Sequence, residues 1–318
     1  LFFIHAFIDL GFSYHKYKIW YYQLFIGNKN MSQTPSFNQA NPLARHFRQP
    51  VIYTKLPSRG QFWPEGSIDI PVTGEIPILA MSTKDEVILR TPDALLNGQG
   101  VIDVIQSCCP TIKNAWETPS IDVDSIIISI RIASYGNNME FTSTCPHCNT
   151  QHDYSVDLGV VLQGIETPNY SRGVDVDGLK IKLRPQPYFS LNKTNIIAFE
   201  EQQLLRSLQM IEDNSDEAQA KFNAQLNKLI DLNIMITADS TESITTEDGQ
   251  LVTDRSFIKE FYTNCDNKTV KAVKARLDEY NKQANIKPFN VICSEEDCAK
   301  PFDIDIIFDF ASFFGKGS

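Results

Sequence analysis

The sequence contains no GxSxG elbow, no Walker phosphate loop, no HExxH zinc signature and no dinucleotide fingerprint. Acids are plentiful, but abundance alone selects no acid and base pair, so the residues point to no enzyme. Positive charge is also short: 29 Lys and Arg stand against 39 Asp and Glu, a formal net charge of −10. That balance disfavours nucleic acid or an anionic membrane as a partner for the molecule as a whole. A run of about twenty uncharged apolar residues is missing too. The nearest approach, residues 1–30, is broken by His5, Asp9, His15, Lys16 and Lys18. It also lacks the basic start, apolar middle and small-residue cleavage site of an export signal. With 16 Pro, 15 Gly and 42% hydrophobic residues, the composition excludes collagen-like, coiled-coil and wholly disordered chains.

What is present is a chain of 318 residues, long enough to bury one large core or two modest ones without relying on metals or disulfides. Residues 1–30 hold ten aromatics and begin with Leu, and are expected to be an over-extended start or a disordered segment preceding Met31. Residues 31–50 read as a flexible arm in which Leu43, Phe47, Arg45 and Arg48 form a candidate docking motif. An N-terminal α/β region is expected over 51–136. Strands at 68–72 and 75–79 should reverse at Thr73-Gly74, and a turn at Arg59-Gly60 precedes Phe62 and Trp63. Ser82-Thr83 with Glu86 reads as a helix cap, Pro92 as a first-turn residue, and Val101, Val104 and Ile105 as a short helix. Over 120–136, Val123, Ile126, Ile127, Ile130 and Ala133 fall on one helical stripe closed by Gly136, despite the β-branched content.

Further on, 174–183 reads as a surface hairpin turning at Asp177-Gly178; no twelve-residue ligand series follows to make it a calcium loop. Residues 194–283 are mainly helical by periodicity. Phe199, Phe222, Phe257 and Val270 each begin an amphipathic stripe, with a polar loop over 241–250 between the second and third.

Seven cysteines are an odd number, which with no export signal argues for thiols rather than disulfides. Cys108 and Cys109 are expected to fill a helix end and Cys265 to sit at a helix terminus. The remaining four form two knuckles, Cys145-Pro146-His147-Cys148 and Cys293 to Cys298, each between strand-favouring segments. Two such pairs can place four sulfurs at tetrahedral corners, which points to one structural Zn2+ held by Cys145, Cys148, Cys293 and Cys298. His147 and His152 are read as neighbours rather than ligands; iron and a pair of disulfides are the alternatives weighed against zinc. Because 144 residues separate Cys148 from Cys293, the expected architecture is α+β: a discontinuous zinc-ribbon-like module (137–160 and 286–312) carrying an inserted hairpin and helical region (161–285). A tail over 313–318 begins with Phe313 and Phe314. Four sulfurs would fill the shell and leave no open position for Lewis-acid chemistry.

The order of LPSRGQFW, EIPILAMSTKDEVIL, RIASYG just before CPHC, and the late cysteine pair followed by FDIDIIFDFASFF resembles the small baseplate hub assembly proteins of T4-type contractile-tailed bacteriophages, over residues 51–318. The resemblance implies an assembly factor or chaperone for the baseplate hub, not an enzyme, with the four knuckle cysteines as structural positions. Its partners would be other baseplate and hub proteins, without nucleic acid or membrane, and several copies could assemble around a hub. It would work in the cytoplasm of the infected host, the virion tail being the alternative location if the protein is a permanent hub component. A zinc-containing nucleic-acid-binding protein is the remaining alternative, disfavoured by Glu295, Glu296 and Asp297 in the second knuckle. Partner contacts are expected first from the Phe62 and Trp63 turn, then from the inserted helices, then from Phe313 and Phe314.

Overall fold

A computed structural model describes residues 41–91, 98–209, 216–304 and 313–314. The Met31 start, the segment before it and the turn at Pro92 lie outside the described residues. The chain divides into two compact units, Leu1–Phe47 and Arg48–Ser318. In the first, Ala44–His46 form one exposed 3-10 turn. Arg48 opens the second unit and does not belong to a loose arm. Its guanidinium reaches Asp85 Oδ2 at 3.0 Å, the Ala80 carbonyl at 2.8 Å and Ser107 Oγ at 3.0 Å.

Strand β1 (Pro50–Lys55) pairs antiparallel with β2 (Glu75–Leu79), which buries Ile76 and Ile78 on alternate positions. The expected partner of β2, residues 68–72, forms no strand beyond an isolated bridge from Ile68 to Ile112. Pro71 supplies no N–H for a ladder and Val72 is fully exposed, so the turn at Gly74 (φ 75) reverses the chain without a hairpin beside it. Helix α1 (Thr83–Ile88) starts at Ser82, so its capping box closes on Asp85 rather than on Glu86. Glu86 instead accepts the Tyr135 hydroxyl at 3.1 Å. Helix α2 (Gln99–Cys108) turns Val101, Ile102, Val104 and Ile105 inward and ends on Cys108 and Cys109. Burial pushes the Cys108 thiol up to about 12 and that of Cys109 up as well, which makes both inert packing groups.

Helix α3 (Ser120–Tyr135) wins over the β propensity of its sequence and stops at Gly136 (φ 90). It is not a one-striped helix: eleven of its side chains are buried, around nearly the whole circumference. Most of its buried polar groups are met internally, with Arg131 Nη1 left without a hydrogen-bond partner among the described residues. Ser129 donates to the Ser125 carbonyl at 2.7 Å and accepts from Thr54 at 2.8 Å, while Arg131 Nε donates to the Phe313 carbonyl at 2.9 Å. Asp122 accepts the Ser58 N–H at 2.7 Å, the Ser58 hydroxyl and Trp63 Nε1 at 2.8 Å. The Phe62 and Trp63 turn is thus committed to the interior: Phe62 meets the Tyr170 ring edge-on at 5.2 Å. Phe313 and Phe314 are likewise core residues, 1% and 6% exposed, and not outward anchors.

Two seven-residue strands, β3 (Asn138–Thr144) and β4 (Gln151–Asp157), pair without a break and lead into α4 (Leu158–Gln163). The hairpin of β5 (Val174–Val176) and β6 (Leu179–Leu183) turns on Asp177 (φ 46) and Gly178 (φ 77), the left-handed pair that matches strand twist. It is the start of a four-stranded sheet rather than a lone surface hairpin. After α5 (Tyr188–Gln209) and α6 (Asp216–Asp239), the expected polar loop opens with β7 (Thr241–Thr245), which pairs with β6 and with β8 (Leu251–Val252). Ile244, opposite Ile181, is buried, and β-branched Thr241 and Thr245 at the two ends favour the strand. Helices α7 (Arg255–Asn264) and α8 (Asn267–Ala284), capped by Asp254 and Asp266, turn Ile258, Tyr262, Val273 and Tyr280 onto this sheet. Cys265 caps the end of α7 as expected. The helical stripe of α6 is not absorbed in the same way, since Leu226 and Ile230 stay exposed. Strands β9 (Phe289–Ile292) and β10 (Pro301–Ile304) form the last hairpin. The described residues are thus mixed helix and sheet, and none of their helices is long and apolar enough to cross a membrane.

Asp122 makes this fold sensitive to pH. Burial pushes its carboxyl up to about 6 from 3.8, against the opposing pull of Ser58 and Trp63. Between these values the folded protein keeps a proton that the unfolded chain has released, so the group favours folding at low pH and loses that effect as pH rises. Relative to Asp122→Asn, wild-type stability in urea unfolding is expected to fall as pH goes from about 4 to about 6. Asp122→Ala, which orphans three donors, is expected to cost about 3 kcal/mol; a pH-independent difference or a neutral Ala variant would contradict this account.

Candidate metal centre

The β3–β4 and β9–β10 hairpins each carry their cysteines at the turn. In the first, Cys145 N–H donates to the Thr150 carbonyl at 3.0 Å and Asn149 N–H to the Cys145 carbonyl at 2.9 Å. In the second, Cys293 N–H donates to the Lys300 carbonyl at 3.0 Å and Ala299 N–H to the Glu295 carbonyl at 2.9 Å. The residue after the last cysteine is left-handed in both, Asn149 at φ 59 and Ala299 at φ 42. The wider spacing of the second pair therefore ends in the same local geometry as the first: the four intervening residues Ser294 to Asp297 form the loop, and the thiols still project together.

All four sulfurs lie within 4.8 Å of one another. Across the hairpins, Cys145 and Cys298 are 3.9 Å apart and Cys148 and Cys293 3.7 Å. Cys145 and Cys293 are buried, and Cys148 and Cys298 are half-buried. Tyr154 and Phe302, whose rings meet edge-on at 5.5 Å, pack with Ile304 beneath the cluster. Neither residue carries a ligand signal in the sequence, but each occupies an inward position of its strand, which alternation marks.

Such a group of thiols is able to hold a metal ion. Hydrogen bonds from the Thr150 hydroxyl and backbone pull the Cys148 thiol down to about 6. At Cys293 the Glu295 N–H favours the thiolate, but desolvation and the surrounding sulfurs prevail and hold it at about 12. Cys298 is raised as well, with its Lys300 hydrogen bond outweighed by desolvation and neighbouring thiols. One thiolate is easily made here; four need a cation among them.

The histidines stay outside the four-sulfur group. His147 is exposed, with Nε2 3.3 Å from the Pro301 carbonyl. His152 Nε2 lies 3.5 Å from Glu295 Oε2. That contact gives Glu295 a partner within the fold, where its sequence context showed only a repulsive acid.

Residues 52–315 match the family described as T4 bacteriophage base plate protein. The chain belongs to this family. No curated protein and no solved structure matches it. The matched span contains both hairpins and all four clustered cysteines. Membership implies contact with other phage tail proteins and a structural or assembly role in the baseplate.

The juxtaposition of the hairpins has a direct check. Diamide oxidation of the folded chain in chelator is expected to join a peptide carrying Cys145 or Cys148 to one carrying Cys293 or Cys298, as read by mass spectrometry of a non-reduced digest. Urea-unfolded chain should give far less of that product; equal yields, or none from the folded chain, would contradict the cluster.

Proposed function

We propose that the protein is an assembly factor for the hub of a phage tail baseplate, acting through protein–protein contacts, with one purely structural zinc ion. The observation that carries the assembly reading is the family match over residues 52–315. The donor set supports the metal. Tetrahedral zinc with sulfur at about 2.3 Å has an S···S edge of about 3.8 Å, and the two cross-hairpin distances are 3.9 and 3.7 Å. Cys145, Cys148, Cys293 and Cys298 would hold the ion as thiolates and leave no fourth position for water, so its role is to fasten and not to polarise a substrate. In this reading 137–160 and 286–312 form one discontinuous zinc-ribbon-like module, and 161–285 is its insertion. The protein is non-enzymatic and works in the cytoplasm of the infected host.

Two measurements test the proposal. Purified protein is expected to carry about one zinc per chain, and Cys148→Ser should weaken zinc binding by more than the roughly 10- to 100-fold that loss of an outer-shell partner costs. Folded protein with negligible zinc and four freely alkylated knuckle thiols would reject the metal. Separately, the protein should be recovered with hub proteins from infected cells before virion release and be absent from purified mature tails. A stoichiometric copy in mature tails would make it a permanent component instead, and absence from every tail protein complex would reject both roles.

A further inference from the structure

In a chain of net charge −10, one face runs against the trend. Strands β5–β8 and helix α8 line an open groove of about 940 Å³, with Arg172, Lys180, Lys182 and Arg276 along it against only two acids, Asp175 and Glu242. Two of the four cations are already neutralised: Lys182 reaches Glu242 at 2.7 Å and Arg276 reaches Glu279 at 2.7 Å. Arg172 and Lys180, both exposed, form no ion pair among the described residues. Asp175 stands across the ladder from Lys180 and still does not pair with it.

The groove is ordered by the strands beneath it. Lys180 faces Thr245 and Lys182 faces Ser243 across the β6–β7 ladder, so cations and hydroxyls recur on one surface every second residue. That repeat, about 7 Å, equals the spacing of alternate side chains in an extended peptide. Gly173 lets the chain entering β5 lie against β6, because a Cβ there would stand 2.3 Å from the Ile181 carbonyl. At the far end Leu251, 63% exposed, offers an apolar shelf beside the polar floor.

We infer that this groove receives an extended acidic segment of a partner protein, whose carboxylates meet Lys180 and Arg172 and whose apolar side chain rests on Leu251. Charge complementarity selects the occupant: the two cations without partners want carboxylates, and the hydroxyls of Ser243 and Thr245 suit peptide groups. A nucleic acid is the poorer fit, since Asp175 and Glu242 in the same groove oppose a continuous line of phosphates. The inference rests on the assembly reading only for the statement that the segment belongs to a tail protein.

The test uses the full chain and three fluorescein-labelled probes in anisotropy titrations: an octapeptide alternating Glu and Val, its Gln and Val counterpart, and an oligothymidylate of matching charge. The Glu peptide is expected to bind at least about tenfold more tightly than either control and to weaken as salt rises. Lys180→Glu combined with Arg172→Glu should remove about tenfold or more of that affinity, whereas Lys84→Glu, outside the groove, should not. Equal binding of the Glu and Gln peptides, equal or tighter binding of the oligothymidylate, or an unaffected double variant would overturn the inference. So would self-association of the purified chain abolished by Lys180→Glu, which would put a second copy in the groove. Failure here leaves the assembly reading intact, because recovery with hub proteins from infected cells does not depend on this surface.

Discussion

Helix α3 has almost no side that faces water, and the rest of the second unit is arranged to make that tolerable. A helix buried on all sides gains apolar packing, through Ile126, Ile127, Ile128 and Ile130, but carries its polar groups inward with it. Each then demands a partner, because an unmet buried donor or acceptor costs about as much as a well-packed methylene gains. Thr54 from β1 meets Ser129, the Ser58 to Trp63 turn meets Asp122, and the Phe313 carbonyl meets Arg131. Three segments distant in sequence are in this way fixed by one helix, and the aromatic residues that come with them are consumed in the interior.

Beside that core stands a device of another kind. The third buried cluster is small, five residues of which two are cysteines, with half-buried Cys148 and Cys298 against it. Its four sulfurs join two hairpins whose cysteines, Cys148 and Cys293, have 144 residues between them.

Much of this was legible in the sequence, and the failures have physical causes. Paired cysteines declare themselves by type and spacing, so their meeting could be read from the chain; Asp177-Gly178 and Gly136 do so by the backbone they require. Residues whose role depends on a distant partner were opaque. Nothing near Trp63 marks Asp122, its acceptor, which is 59 positions away. The bond from Arg131 to the Phe313 carbonyl is hidden for the same reason, across 182 positions. The Thr-rich segment at 241–245 was polar enough to pass for a loop until β6 gave it a ladder to join. The helix-cap residue, by contrast, was displaced by one position, which moves the capping partner from Glu86 to Asp85 and frees Glu86 for Tyr135.

The long separation between the two hairpins also fixes an order of events during synthesis. At roughly 5–20 residues per second, about 8 to 30 seconds pass between the emergence of Cys148 from the ribosome and that of Cys298. During that interval Cys145 and Cys148 are solvent-accessible thiols on a hairpin with no counterpart, and the core around Arg131 still lacks Phe313. Both gaps close only when residues 293–313, in the last tenth of this sequence, appear. A nascent molecule therefore carries the β5–β8 sheet before it is able to join its two cysteine hairpins.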